Sequence, residues 1–286
     1  MFLINSYVYQ SFSGLDLADY SSDSPVLALS TRRINSGYTG ALIRLRRSTD
    51  NTEQDFGSGL GMGETLDYSA IDTFLSGGTA HVVKWYDQSG QGRDLQQQTA
   101  SRQPTFDAGA TTGRAVKFSG ASDVHLSSVT QVSGGFFSSG PAVSIHHAMD
   151  NDDNGFCTNM SLSTSPHAAG NITYFRTNRY GGNNRFVWRG VQFSPAGSGT
   201  TAGNEYSYYN HDGSNLRIDH NDTEIGSTSN TTAAHSGADS FNLGADATAH
   251  EWDGYTYELI IFDSSQSTAN SDAIRDDMNS QYSLYT

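Results

Sequence analysis

One dense group of arginine and aromatic residues lies between positions 174 and 189 of an otherwise acidic chain. Exposed aromatic rings stack on sugar rings, and arginine pairs with carboxylates or sulfates. The segment is therefore a candidate carbohydrate-binding surface. In the competing interpretation, Phe186 and Trp188 point into a core while Arg185 and Arg189 are solvated. The candidate ligand-binding residues are Tyr174, Arg176, Tyr180, Arg185, Trp188 and Arg189.

The run from Asp150 to Asn154 offers oxygen ligands at alternating positions. Asp150, Asp152 and Asn154 could hold a calcium ion, and no other cofactor is expected. The run lacks the glycine and the distal glutamate of an EF-hand loop, so a solvated acidic turn is the simpler interpretation. The adjacent His146 and His147 do not favour a shared metal, because neighbouring strand residues face opposite ways.

The net charge of −14 opposes binding to nucleic acid or to an anionic membrane surface. No segment approaches the roughly 20 apolar residues of a membrane span, so no membrane insertion is expected. Cys157 is the only cysteine, which excludes a disulfide within the chain. Residues 1–5 contain no basic segment followed by a long apolar stretch, which predicts synthesis in a cytoplasm.

Alternating apolar and polar residues recur along the chain and predict short strands bounded by Gly, Asn, Asp and Ser. The strongest run extends from Tyr255 to Phe262, and Asn221-Asp222 is typical of a hairpin turn. Helical spacing predicts one helix around Ile71 with Asp67 as its N-cap, and a second from near Thr268 to Tyr282. The pattern predicts an all-β antiparallel sandwich with one or two short helices.

Three stretches carry a resemblance to a known family. Residues 30–50 contain STRR, YTGAL and RRSTD, residues 85–95 read WYDQSGQGRDL, and residues 242–260 contain NLGAD and WDGY. Together they look like the catalytic domain of fungal and bacterial arabinofuranosidase B-type glycosidases. They are also similar to uncharacterised domains in virion proteins of tailed bacteriophages. The resemblance covers the chain from about residue 25 onward, with a weak middle, and implies a concanavalin A-like or laminin-G-like jelly roll.

The second motif also has a structural interpretation of its own. Asp87 and Ser89 can accept backbone N–H bonds in a tight loop, and Gly90 and Gly92 permit positive φ. We therefore expect this loop to be structural and not a site.

The resemblance implies a retaining glycosidase, whose two carboxylates stand about 5–5.5 Å apart. Asp246 matches the position of the family's acid/base aspartate. The nucleophilic glutamate should follow a pair of adjacent cysteines, but Cys157 stands alone and residues 154–204 contain no Asp or Glu. Asp153 or Glu205 could replace it only if the loop refolded. This predicts no enzymatic activity and makes Asp246 a vestigial candidate.

The main functional hypothesis is therefore a non-catalytic bacteriophage virion protein, a decoration or fibre protein with a lectin-like sandwich. It would lie on the particle surface after synthesis in the host cytoplasm, and it would bind host-surface glycans. Residues 1–15, an N-terminal arm or edge strand, would dock on other virion subunits, while residues 16–286 form one domain, expected to be homo-oligomeric. Two alternatives stay open: an arabinofuranosidase-like retaining glycosidase and a free carbohydrate-binding module.

Overall fold

The structure is a computed structural model. For residues 108–110, 113, 163, 173–176 and 178–180 it describes the backbone alone. The described residues are 14–20, 23–110, 113–121, 123–128, 137, 142–152, 157–163, 173–180, 183–188, 191–195, 203–231, 240–245 and 251–286.

Short strands account for most of the regular structure, as the alternating pattern predicts. The strands of the described residues are β1 Leu27–Ser30, β2 Ile43–Arg47, β3 Glu53–Phe56, β4 Ala80–Trp85, β5 Leu95–Gln96, β6 Thr105–Ala110, β7 Gly113–Ser119, β8 Leu126–Ser128, β9 Val143–Asn151, β10 Cys157–Ser163, β11 Thr173–Tyr180, β12 Asn183–Trp188, β13 Val191–Phe193, β14 Gly203–His211, β15 Asn215–His220, β16 Thr223–Ser229, β17 Ser240–Leu243 and β18 Asp253–Phe262.

The strands form two antiparallel layers. In the first layer the order is β16-β15-β14-β9-β18, and β18 pairs with β7 along its first half and with β1 along its second half. In the second layer the order is β13-β12-β11-β10-β17-β8-β5-β4-β2-β3. Strand β6 pairs with both β4 and β7 and so connects the layers along one side. The predicted all-β antiparallel sandwich is confirmed.

The main core fills the space between the layers. Alternate residues of β9, such as Ile145 and Met149, meet Phe186, Leu243 and their neighbours from the opposite layer. The other face of β9 is also covered, because the C-terminal helix packs there with Ile274 and Met278. Every residue of β9 is consequently buried, and the strand forms the centre of the domain.

Both predicted helices are present: α1 spans Tyr68–Leu75 and α2 spans Thr268–Tyr282. Asp67 caps α1 by accepting the Ala70 N–H at 3.0 Å, as the sequence predicts. Two 3-10 turns complete the regular elements of the described chain, at Leu17–Tyr20 and Ala100–Arg102. No helix among the described residues is long and apolar enough to cross a membrane.

A buried ionic network fastens α2 to the outer face of the first layer. Glu258 on β18 accepts hydrogen bonds from Arg32 Nε at 2.9 Å, Ser30 Oγ at 2.7 Å and the Tyr282 hydroxyl at 3.0 Å. Arg32 also pairs with Asp277 of α2. Several charge-assisted hydrogen bonds therefore compensate for the burial of these polar groups.

The loop after β4 is structural, as its residue types predict. The buried Asp87 carboxylate accepts the backbone N–H groups of Ala28, Ser89 and Arg93, each at 2.9 Å, and the Ser89 hydroxyl at 2.7 Å. Gly90 has φ of 88°. Asp87 therefore joins its own loop to β1 and is not available to a ligand.

Asn221 has φ of 56° in the β15–β16 turn, which confirms the predicted hairpin. At the N-terminus the description begins at Gly14, so most of the proposed arm lies outside the described residues. Leu15 is buried, and its N–H donates to Asp277 Oδ1 at 3.0 Å. The boundary between residues 15 and 16 stays a prediction.

Candidate active site

One end of the sandwich collects the ends of five central strands. Strand β9 finishes there at Asn151, and its antiparallel partners β14 and β18 begin beside it. In the facing layer, β10 begins and β17 finishes at the same end, since Met160 pairs with Leu243. Along the chain, residues 152–156 join β9 to β10 and residues 244–252 join β17 to β18, while residues 194–202 lead from β13 into β14. This end is called the site end below.

The interior of the site end is lined by polar side chains where the strand alternation calls for apolar ones. We define the inner polar cluster as His147, Asn159, Thr177, Glu205 and Ser207, each at most 1% exposed. Glu205 pairs across the strands with Met149, and Ser207 pairs with His147. From the facing layer, Asn159 Nδ2 lies 3.5 Å from Met149 Sδ. Thr177 pairs with Met160, which in turn pairs with Leu243 at the end of β17. These pairings and contacts place the five residues near the same end of the interior.

Several atoms of the inner polar cluster have no hydrogen-bond partner in the described part of the chain. They are His147 Nδ1, Asn159 Oδ1, Thr177 Oγ1 and Ser207 Oγ. A buried polar atom left without a partner costs about 1–3 kcal/mol. Such atoms in a native protein indicate an ordered water, a ligand or a functional role.

Burial makes His147 a neutral imidazole. Its desolvation lowers the pKa to about 3, against the opposing charge of nearby Glu205. His147 Nε2 lies 3.1 Å from Thr256 Oγ1, and its ring meets the Trp252 ring with centroids 5.8 Å apart. A neutral, fixed imidazole can donate or accept a hydrogen bond at Nδ1 without carrying charge.

Glu205 is the described carboxylate on the inner face of β14. Its Oε2 lies 3.2 Å from His220 Nε2, and the side chain of Glu205 is 2% exposed while that of His220 is 20% exposed. His220 thus lies between Glu205 and solvent at the start of the β15–β16 turn. A buried carboxylate beside an accessible histidine is an arrangement that general acid–base or nucleophilic chemistry uses.

Asp246 lies outside the described residues, but the strand that leads to it is defined. The Ala245 carbonyl accepts the Ser161 hydroxyl at 3.1 Å, and the Gly244 N–H donates to the Asn159 carbonyl at 2.7 Å. Gly244 has φ of 95°, and a Cβ there would collide with the Phe118 ring. The glycine is therefore required for the chain to leave β17 in this direction.

The proposed calcium ligands are only partly described. Asp152 Oδ2 and Asp253 Oδ1 each lie 2.5 Å from Lys117 Nζ, which neutralises part of this acidic turn. Asp150 is 5% exposed, and Asn154 lies outside the described residues. Within the described ranges, no group of three or more His, Cys, Asp or Glu side chains could hold a metal. Calcium binding stays a prediction.

Of the candidate ligand-binding residues at positions 174–189, the structure describes the side chains of Trp188 and Arg185. Trp188 is 1% exposed and contacts Phe137 and His211, so its ring offers no face to a sugar; its expected exposure is corrected. Arg185 is half-buried on β12. Arg189 and the side chains of Tyr174, Arg176 and Tyr180 lie outside the description. Phe186 and Trp188, the aromatic side chains of this segment that are described, occupy alternate inward positions and belong to the apolar core.

Sequence reasoning named Glu205 but missed its neighbours in the inner polar cluster. The sequence does contain a signal for them. His147, Ser207 and Thr177 are polar residues at strand positions where the alternation predicts an apolar residue. Each is two positions from an apolar or aromatic residue: Met149, Tyr209 and Phe175, respectively. A polar residue at that phase is either hydrogen-bonded in the core or part of a site.

Comparison with known proteins supports the same family that the motifs suggested. A family model described as alpha-L-arabinofuranosidase B, catalytic, matches residues 19–150. Over 79 residues, the chain is 39% identical to alpha-L-arabinofuranosidase B of Aspergillus niger and 37% identical to that of Emericella nidulans. The first alignment covers 27% of this chain and 16% of the relative. The match therefore spans about a sixth of the relative's length.

The similarity of fold extends much further than that of sequence. A crystal structure of an arabinofuranosidase complexed with arabinofuranosyl-alpha-1,2-xylobiose superposes with a TM-score of 0.73 at 16% identity, covering 93% of this chain and 64% of that one. A GH54 arabinofuranosidase soaked with a cyclic sulfate inhibitor gives 0.72 at 16% identity, with coverages of 94% and 65%. At this identity the likeness shows the shared β-sandwich.

These findings correct the main functional hypothesis. The expectation of a non-catalytic bacteriophage virion protein on a particle surface is wrong, because the matching family and relatives are arabinofuranosidases of fungi. The expectation that the chain is not an enzyme is wrong on the same ground. That expectation gave decisive weight to the missing acid residues of 154–204, although the family match covers residues 19–150, which precede that gap. The expected partners, other virion subunits and copies of the chain, are untested.

Proposed function

We propose that this domain is a retaining glycoside hydrolase that acts on α-L-arabinofuranosides. The observation that carries the proposal is the arabinofuranosidase B match over residues 19–150, together with a sandwich that follows the enzyme fold over 93% of the chain. The inner polar cluster adds a carboxylate and neutral hydrogen-bonding groups at the site end. The matched relatives are much longer than the aligned segment, so the activity itself is the proposal.

In this proposal Asp246 is the acid/base group and Glu205 is the nucleophile. Asp246 would protonate the leaving-group oxygen while a Glu205 oxygen attacks the anomeric carbon, which breaks the glycosidic bond and forms a glycosyl ester. Asp246 would then take a proton from water, whose oxygen displaces Glu205 and releases arabinose. The inward position of Glu205 on β14 supports its role as the nucleophile. The neighbouring strand β9 carries Met149, which contacts Asn159, and Asn159 lies beside the end of β17.

The activity test uses two substrates with different leaving groups. We expect turnover of both 4-nitrophenyl α-L-arabinofuranoside and arabinofuranosyl-xylobiose. Asp246→Asn should lower kcat/KM on the xylobiose substrate about 10²–10⁴-fold. Its effect on the aryl substrate should be smaller, because nitrophenolate leaves without protonation. Glu205→Gln should lower both, because bond formation to the anomeric carbon is needed in each case.

The matched control is Asp55→Asn, which removes an exposed carboxylate that pairs with Arg44 far from the site end. It should leave kcat/KM unchanged, and circular dichroism of all variants verifies the fold. No turnover of any α-L-arabinofuranoside by the folded parent protein would refute the proposed function. Full activity in Glu205→Gln with loss in Asp153→Asn would keep the function and refute Glu205 as nucleophile.

A further inference from the structure

A second cleft lies on the outer face of the first layer, between β14–β16 and the beginning of α2. Its volume is about 330 Å³. It lies on the side of β14 opposite to the inner polar cluster, since Asn210 and Tyr208 alternate with the inward-facing Tyr209. Its principal polar groups are Tyr208, Asn210, Arg217, Asp219, Glu224 and Gln266.

We infer that this outer cleft is a binding site for a neutral oligosaccharide. Asn210 is 8% exposed, and its Oδ1 accepts the Ser144 hydroxyl at 3.0 Å. Its Nδ2 has no protein partner in the described part of the chain, although Asn210 lines the cleft. A buried amide held by one atom, with the other facing a cleft, is a preset hydrogen-bond donor for a ligand.

The other groups of the cleft are fixed in the same manner. Asp219 receives two bonds of 2.6 Å from Arg217 Nε and Nη2. Arg217 Nε lies 3.4 Å from Glu224 Oε2, so the exposed Glu224 keeps acceptor capacity toward the cleft. Donors and acceptors that are rigid and alternate in space match the vicinal hydroxyl groups of a sugar.

The charge of the cleft selects among saccharides. Among the described residues, Asp212, Asp219, Glu224 and Asp272 line it together with one cation, Arg217. Arg275, which is not among these lining residues, pairs with Asp272. This excess of negative charge opposes uronic acids and sulfated sugars, which carry the same sign. The ligand we infer is therefore a neutral chain such as a xylo- or arabino-oligosaccharide. It would hold a polymer on the domain at a distance from the site end.

The test measures binding by NMR titration or calorimetry with xylotetraose and, as the anionic comparison, tetragalacturonate. Arabinotriose is titrated in the Asp246→Asn background, in which the proposed hydrolysis does not consume it. Ser227 is exposed at the cleft wall on β16, so Ser227→Trp should fill the cleft without disturbing the core. We expect it to weaken binding of the neutral chains at least tenfold. Thr223→Trp, on the same strand outside the cleft, should bind as the parent does. Asn210→Asp, which replaces the free donor by an acceptor, should weaken binding similarly.

Binding is measured also in Asp246→Asn, which separates this inference from the proposed function. Retained binding in that variant, with loss in Ser227→Trp, supports a distinct outer site whether or not the domain is catalytic. Loss in Asp246→Asn with retention in Ser227→Trp would overturn the inference, since all binding would then occur at the site end. Absence of binding to both neutral chains, or preference for tetragalacturonate, would overturn it as well.

Discussion

Two groups of polar residues are buried on opposite faces of the adjacent strands β9 and β18. On the outer face, Glu258 is 0% exposed and each of its carboxylate oxygens accepts at least one hydrogen bond. On the inner side, His147 of β9 and Thr177 of β11 in the facing layer are equally buried, yet one polar atom of each lacks a partner in the described chain. The two groups are equally buried but differ in whether their polar atoms have hydrogen-bond partners. This difference distinguishes a structural network from a candidate site.

The two groups also differ in the strands and helices that they connect. The outer network connects β1, β18 and α2, and its members are fixed by charge-assisted bonds. The inner polar cluster lies between the two layers, near the strand ends of the site end, and Asn159 there contacts Met149 of the opposite layer. The first group thus has the contacts of a stabilising network, while the second contains polar atoms that have no partner among the described residues, as a ligand-binding site does.

The largest expected effect is on the outer network. Glu258→Gln leaves the buried Arg32 with only Asp277 as a charged partner, and we expect the free energy of unfolding to fall by about 3–5 kcal/mol. Urea denaturation measures it. The exposed Arg44–Asp55 pair, in which both side chains are 38% exposed, is the control, and Asp55→Asn should cost less than about 1 kcal/mol. Equal losses in the two variants would contradict the structural role of the network.

A smaller effect is expected from pH, through two adjacent histidines that face opposite sides of β9. Burial lowers the pKa of both His146 and His147 to about 3, whereas the unfolded value is about 6.5. Between these values the unfolded chain binds the proton and the folded chain does not, so stability falls as the pH falls below about 6.5. From pH 7 to pH 5 each histidine should cost about 2 kcal/mol.

The measurement is the free energy of unfolding at pH 7, 6 and 5 for the parent protein, His146→Gln and His147→Gln. Each substitution should remove the part of the pH dependence that its histidine contributes. The part contributed by His147 is smaller to the extent that the charge of Glu205 offsets the desolvation of His147. An unchanged slope in both variants would show that the imidazoles are protonated inside the fold, or reach solvent.

The sequence predicted what depends on local pattern and on residue type. The strand Tyr255–Phe262, the capped helix after Asp67 and the Asp87 loop all follow from spacing over a few residues. What it did not predict depends on the register between distant strands. Arg32 and Glu258 are 226 positions apart, and their contact exists only because β1 and β18 are adjacent in one register.

The candidate site shows the same division. Asp246 was reached through a motif, and Glu205 was named only as a remote acid. Its proximity to His147 depends on the pairing of Ser207 with His147 across β14 and β9. The sequence left Trp188 open between a ligand-binding surface and the core, because alternation indicates which residues share a face, but not which of two faces is covered by the other layer. The structure supports the core interpretation.

The smallest expected change in stability tests the inner polar cluster directly. Thr177→Val has nearly the same shape and removes a buried hydroxyl that has no partner among the described residues. The free energy of unfolding should therefore stay constant or rise by about 1 kcal/mol. The paired measurement is KM for arabinofuranosyl-xylobiose, which should rise if the hydroxyl contributes to the substrate site.

The control is Ser144→Ala, which removes a buried hydroxyl that does have hydrogen-bond partners. The Ser144 hydroxyl accepts the Gln266 N–H at 2.8 Å and donates to Asn210, so this variant should lose stability. A loss of more than 1 kcal/mol in Thr177→Val would instead assign the inner hydroxyl to a structural water, and the contrast between the two faces would disappear.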